Sequence, residues 1–344
     1  EYFRDRGYRT GGFIANLRYV SREYGLDRGF EEYQDYALIP SQIIGSTMLG
    51  RLAIGRFNAW FDQDVIPGRK DAGRVVDEFL GWQGRGDGRP YFAFLNLFDA
   101  HDPYAPEAPY DSMFQTGEST LRRIEFGRRH SAAEIEDLRD SYDGAIARLD
   151  AELGRLFATL RAQGSLDSTL IIVTADHGEE FGEHGHLAHG NGLHFPALHV
   201  PLLVRWPAGG VPAGVEVKES VSLADVPATI LDLVAATRDG AIPGVSLAPL
   251  WAGGAGPDRS PGLSELYWVA NQPDWYPVSA GDMTSLVRGR YHFIAGPGDR
   301  EEMYDIVTDP FERRDLLEHP EWVDTAASLR AALARFPIVP RGGR

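Results

Sequence analysis

Apolar positions recur along this chain in two rhythms. Between Ala132 and Gln163, Ile135, Leu138, Tyr142, Ile146, Leu149, Leu153, Leu156 and Leu160 fall every three or four residues and form one stripe, which predicts the longest helix. Ser131 and Glu134 make a capping-box pattern at its start, and Gly164 supplies the stop. The same spacing predicts helices over Lys70 to Gln83, with Gly84 as its end, over Leu223 to Ala235, and over Glu321 to Ala334. Between these lie apolar runs short enough to be strands: Gly12 to Leu17, Tyr91 to Phe98, Thr169 to Ala175, and Val200 to Trp206, which Pro207 ends. Tyr91 to Phe98 is nearly continuously apolar, as expected of a strand covered on both faces.

Strands and helices alternate up to about Ala252, the pattern of an α/β fold. Gly253, Gly254, Gly256, Pro257 and Pro261 then form a linker-like stretch. Beyond it, Leu263 to Trp268, Thr284 to Arg288, Tyr291 to Ala295 and Glu302 to Ile306 read as short strands of an antiparallel sheet that the last helix would cover. The expected division is a main α/β domain over residues 1–252 and a small α+β subdomain over residues 253–344.

The bulk numbers exclude some partners. Among 344 residues, 43% are hydrophobic and no run approaches the roughly 18–20 apolar residues of a membrane span. A formal net charge of -16 argues against nucleic acid, whose phosphates need a basic face. A small anionic substrate stays open, because a bound cation reverses the local potential. With no cysteine the chain has neither disulfides nor thiolate metal sites.

Histidine is where the chemistry gathers. Six of the ten histidines fall between His177 and His199. The strand Thr169 to Ala175 runs into Asp176-His177-Gly178, and Tyr91 to Phe98 runs into Asp99-Ala100-His101-Asp102. Ligands of open α/β sheets sit outside the carboxyl ends of strands. If these two strands are parallel neighbours, His101 meets the Asp176–His177 pair in one crevice. Taken alone, His101 reads more readily as a turn or packing residue than as a site residue. His184 and His186 read as surface residues that hold a loop by hydrogen bonds, and His194 and His199 as structural residues beside a strand.

The run from Val173 to Pro207, VTADHGEEFGEHGHLAHGNGLHFPALHVPLLVRWP, resembles the metal-binding segment of type I, formylglycine-dependent sulfatases of the alkaline phosphatase superfamily. RGYRTGGFIAN, GLDRGFEEY, FLNLFDAHDPYAP, SLADVPATILDLV, PGVSLAPLWAG and MYDIVTDPFERRDLL resemble further segments of that family in the same order, so the likeness covers essentially the whole chain. It implies an alkaline phosphatase-like central, mostly parallel sheet flanked by helices, with a small C-terminal antiparallel sheet and terminal helix. It implies Asp176 and His177 as metal ligands, and His101 and His189 as catalytic residues against the ester or its leaving oxygen. The implied cofactor is a divalent metal, calcium first. An imidazole ligand at His177 keeps manganese, magnesium and zinc open. The implied substrate is a small-molecule or glycan sulfate ester, and the family's habit is export to the periplasm or beyond.

One part of the family's pattern has no match. Cys- or Ser-x-Pro-x-Arg, the source of the formylglycine nucleophile, is absent, as are the first two metal carboxylates. In the family these lie upstream of the segment that begins here at residue 7. The expectation is a chain lacking its first strand–helix unit, inactive alone and a weak metal binder. Sulfate ester hydrolysis is the leading reading. A phosphodiesterase or phosphonate monoester hydrolase of the same superfamily is the second, and a non-catalytic binding homologue the third.

Overall fold

A computed structural model describes residues 1–36, 69–115, 123–125, 127–234, 242–253 and 262–336. The chain forms two compact units, Glu1–Glu125 with His130–Gly164, and Phe126–Arg129 with Ser165–Arg344. This division falls after Gly164, so residue 252 lies inside the second unit.

In the first unit, β1 (Arg9–Ile14) is the centre of a three-stranded parallel sheet, between β2 (Glu32–Gln34) and β3 (Tyr91–Asn96). Every residue of β1 is buried. Helix α1 (Ala72–Gly84) starts where the Asp71 side chain accepts from the Arg74 amide. It lays Phe79 and Trp82 against Phe13 of β1, with ring centroids 5.7 and 5.5 Å away. Helix α2 (Ala132–Ala162) has the expected capping box in full: the Ser131 side chain accepts from the Glu134 amide, and the Glu134 side chain from the Ser131 amide. β3 differs from expectation. Its residues are all at least partly exposed, and Phe94 is 43% exposed, because β1 is its single strand partner among the described residues.

In the second unit, β4 (Ile171–Thr174) pairs antiparallel with β7 (Leu202–Arg205). Between them the chain makes a two-stranded hairpin of β5 (Glu180–Phe181) and β6 (Leu187–Ala188), then the single-turn α3 (Phe195–Leu198). Helix α4 (Asp225–Leu233) and the short α5 (Ala248–Trp251) follow. β8 (Gly262–Leu266), β9 (Met283–Arg288), β10 (Tyr291–Ala295) and β11 (Glu301–Asp305) form an antiparallel sheet in the order β11-β10-β9-β8. Helix α6 (Val323–Leu333) covers it through Ala326, Leu329 and Leu333, which pack on Leu286, Phe293 and Met303. The sheet's other contacts reach back to the hairpin region, where Leu193 packs with Met283, Ile294 and Tyr304.

The strand ends that carry His101 and Asp176 are not paired neighbours. β3 bonds to β1, and β4 bonds to β7. A parallel β3–β4 pair, the condition for a shared crevice, is therefore not present among the described residues.

Candidate functional site

The chain leaves β4 at Thr174, whose hydroxyl donates to the Pro201 carbonyl at 2.8 Å. This hydrogen bond holds the strand end beside β7 just before Asp176 and His177. The His177 amide donates to Asp176 Oδ1 at 3.1 Å. Its ring Nδ1 lies 2.9 Å from the Gly178 carbonyl. A carbonyl only accepts, so Nδ1 carries the proton and Nε2 presents a lone pair. That Nε2 stands 3.8 Å from Asp176 Oδ1. Two donor atoms at such a separation can share one cation. The Asp176 side chain is 90% exposed, so solvent reaches this pair.

Gly178 makes the turn possible. Its amide donates to Ala197 O at 2.8 Å, and a Cβ there would lie 2.1 Å from the Pro196 carbonyl. No other residue fits so close to that backbone.

His189 comes to the same place from β6. Its ring stacks on that of His177, centroids 3.8 Å apart. His189 Nδ1 is 2.9 Å from Glu179 Oε1, and the Glu179 side chain is almost fully buried. The carboxylate fixes the ring's orientation and leaves Nε2 as the nitrogen that can exchange a proton with a ligand. Asp176, His177 and His189, named from the sequence, thus form one constellation.

His101 stands in the other unit, in the loop after β3. Its Nδ1 lies 2.8 Å from the Asp102 carbonyl, and its ring packs on Phe98 at 4.3 Å. Arg69 shapes this loop by donating to the carbonyls of Asp99 at 2.7 Å, and of His101 and Pro103 at 3.2 Å each. Burial pushes the Arg69 pKa down, opposed by the Asp99 and Asp102 carboxylates. Burial likewise raises Asp99, although the Ala72 amide donates to it.

A second cluster was not foreseen. Glu180, on β5, is fully buried and faces three imidazoles. Its Oε1 is 3.6 Å from His184 Nδ1 and 3.7 Å from both His186 Nδ1 and His194 Nδ1. These are ion-pair distances, longer than hydrogen bonds. Burial would raise the Glu180 pKa, but His184, His186 and His194 overcome this and hold it at about 2. His184 and His186 are therefore interior residues, not surface ones: their side chains are 15% and 6% exposed. The hairpin turns them inward against Tyr276 and Tyr304. The available signal was Glu180 and His184 four residues apart with His186 just beyond, and the histidine density of the loop masked it.

With this geometry in hand, kinship can be placed. The sulfatase family profile matches residues 1–236, and that of the N-sulphoglucosamine sulphohydrolase C-terminal region matches residues 182–337. The chain belongs to the sulfatase family. It is 32% identical over 281 residues to the multifunctional alkaline phosphatase superfamily protein PehA of Trinickia caryophylli, covering 69% of this chain and 53% of that one. It is 28% identical to the choline-sulfatase of Rhizobium meliloti, covering 68% and 41%. Against arylsulfatase K of Mus musculus the identity is 27%, covering 60% and 37%. The chain thus spans about half or less of the length of these relatives. Among solved structures, the phosphonate monoester hydrolase of Agrobacterium radiobacter superposes with a TM-score of 0.71 at 22% identity, over 97% of this chain and 78% of that one. The fold is accordingly that of this family, a parallel sheet with helices and a C-terminal antiparallel sheet under a terminal helix.

Proposed function

We propose that this sulfatase-family chain serves the hydrolysis of a sulfuric ester, with Asp176 and His177 as ligands of a divalent metal and His189 acting on the ester; His101, in the other unit, is a further candidate catalytic residue. The observation that carries the reading is the Asp176–His177–His189 constellation at the end of β4, with Asp176 Oδ1 3.8 Å from His177 Nε2 and the His189 ring stacked on that of His177. When bound, a divalent cation supplies positive charge for the sulfuryl oxygens. The residues themselves do the rest. Gly178 and Pro201 hold the pair in place. Glu179 orients His189, which can give a proton to the departing alkoxide. Arg69 holds the His101 loop in shape. Calcium leads among the candidate metals by family resemblance, although the imidazole donor also suits manganese or zinc. The chain has no cysteine and no Ser-x-Pro-x-Arg, so no formylglycine nucleophile is assigned to any residue here.

A relative named a multifunctional alkaline phosphatase superfamily protein, and the fold likeness to a phosphonate monoester hydrolase, support a second reading, hydrolysis of phosphonate monoesters or phosphodiesters at the same residues. The test uses the protein expressed from its natural coding sequence, assayed on 4-nitrophenyl sulfate, phenyl phosphonate monoesters and phosphodiesters. Sulfate turnover that falls at least about 100-fold in Asp176→Ala supports the first reading. Turnover confined to the phosphorus esters replaces it with the second.

A further inference from the structure

The side chain of Glu180 is buried without a hydrogen-bond partner. Both carboxylate oxygens, and the Nδ1 atoms of His184, His186 and His194, are buried without a hydrogen-bond partner. Five such atoms facing one another are costly in a folded interior.

Protonation relieves the cost only in part: burial works against a charged His184, although Glu180 and the Glu312 carbonyl raise its pKa. His184 Nε2 lies 2.9 Å from the Glu312 carbonyl, which can only accept, so Nε2 carries the proton. His194 Nε2 lies 3.1 Å from Glu302 Oε2, a carboxylate that also accepts from Tyr304 at 2.8 Å. In the neutral rings both Nδ1 atoms therefore turn lone pairs toward the Glu180 carboxylate. Were they protonated instead, two stacked imidazolium rings with centroids 3.6 Å apart would face each other in a buried site.

The geometry points to a second metal site, a buried structural centre in which Glu180, His184 and His194 bind a zinc-like ion. Glu180, His184 and His194 each offer a ligand atom within 4.8 Å of the others. A tetrahedral ion with ligands at about 2.0–2.1 Å separates them by about 3.3 Å. The Glu180 to His184 and His194 distances of 3.6 and 3.7 Å are close to this, and the stacked His184 and His194 rings must turn for both Nδ1 atoms to meet one ion. Two imidazoles and one carboxylate suit zinc rather than calcium or magnesium. The outer partners are of the kind that orient metal-bound histidines: a carboxylate on His194 and a carbonyl on His184. Glu312 ties the arrangement together. Its carboxylate also accepts from His292 at 2.5 Å and from the Phe195 amide at 2.7 Å, and its backbone takes a left-handed φ of +52°. Full burial of Glu180 marks the centre as structural, distinct from the solvent-reached Asp176–His177 pair.

The test uses the natural-length protein carrying Asp176→Ala and His177→Ala together, which removes the exposed pair. After chelation and dialysis it is titrated with Zn2+ alone and with Co2+ alone. The expected results are uptake of about one equivalent, a visible Co2+ spectrum of tetrahedral intensity, and a higher melting temperature with Zn2+. Glu302→Gln, which keeps the fold's shape, is expected to weaken Zn2+ binding by about 10–100-fold. Absence of uptake in the Asp176→Ala/His177→Ala protein overturns the proposal. So does an octahedral Co2+ spectrum, or equal Zn2+ affinity in a folded His184→Ala/His194→Ala variant. The Co2+ spectrum needs no cluster variant, so it decides even where such variants fail to fold.

Discussion

At the residue scale, function rests on few atoms with little slack. Gly178→Ala puts a methyl group where the Pro196 carbonyl already lies, 2.1 Å from the new Cβ. We expect a loss of about 2–4 kcal/mol in chemical denaturation, together with loss of activity, because His177 is the preceding residue. His189→Gln is expected to lower kcat by about 100-fold or more while KM changes little, read from steady-state kinetics. Glu179→Gln should give a smaller loss of kcat, because it removes the orienting carboxylate and keeps the ring. Away from the site, the Arg22 fork grips Asp35, with Nε and Nη2 at 3.0 and 2.8 Å from Oδ1. Burial opposes ionisation of Asp35, but bonding to Arg22 outweighs it and holds the pKa below the ordinary 3.8. An acid whose folded pKa is depressed contributes its stability above the unfolded value and loses it as pH falls through the folded one. Arg22→Ala should therefore cost about 0.5–1 kcal/mol near neutrality and nothing in strong acid. Urea melts of both proteins across pH 2–7, a span taken to bracket the carboxylate range, check this.

At the element scale, the strands and helices follow from local chemistry. The α2 stripe and its Ser131 cap were readable in the chain, and the helix runs Ala132–Ala162 as its spacing predicts. Ser131→Ala should cost about 1 kcal/mol in thermal or urea unfolding. The Arg69 fork is a different kind of element support, since one guanidinium holds three carbonyls of the His101 loop. Arg69→Lys keeps the charge and loses the fork, so kcat should fall more than stability does. What local pattern misread was burial. Tyr91 to Phe98 is apolar enough for a strand covered on both faces, yet β3 is half exposed because hydrophobicity does not report how many neighbours a strand has. The Trp275 ring lies under the Arg129 guanidinium at 5.0 Å and lines a cavity of about 510 Å³ with Gln272 and Asp274.

At the scale of the whole molecule, covalent order and spatial order part company. The four longer helices, most strands, the Asp-His-Gly turn and the family itself could be read from the chain, because periodicity, caps and a contiguous motif are local properties. Asp176, His177 and His189, all three named from the sequence, meet because fourteen consecutive positions fold as one turn and one hairpin. The Glu180 cage was not legible in the chain. His184 and His194 acquire their meaning from Glu302 and Glu312, more than a hundred residues away in the chain, which fix the imidazole protons from the far side. Nor did spacing reveal that β4 would pair with β7 and not with β3. Side-chain burial, tautomer choice and strand partnership depend on what packs from a distance, and a linear pattern holds no record of that packing.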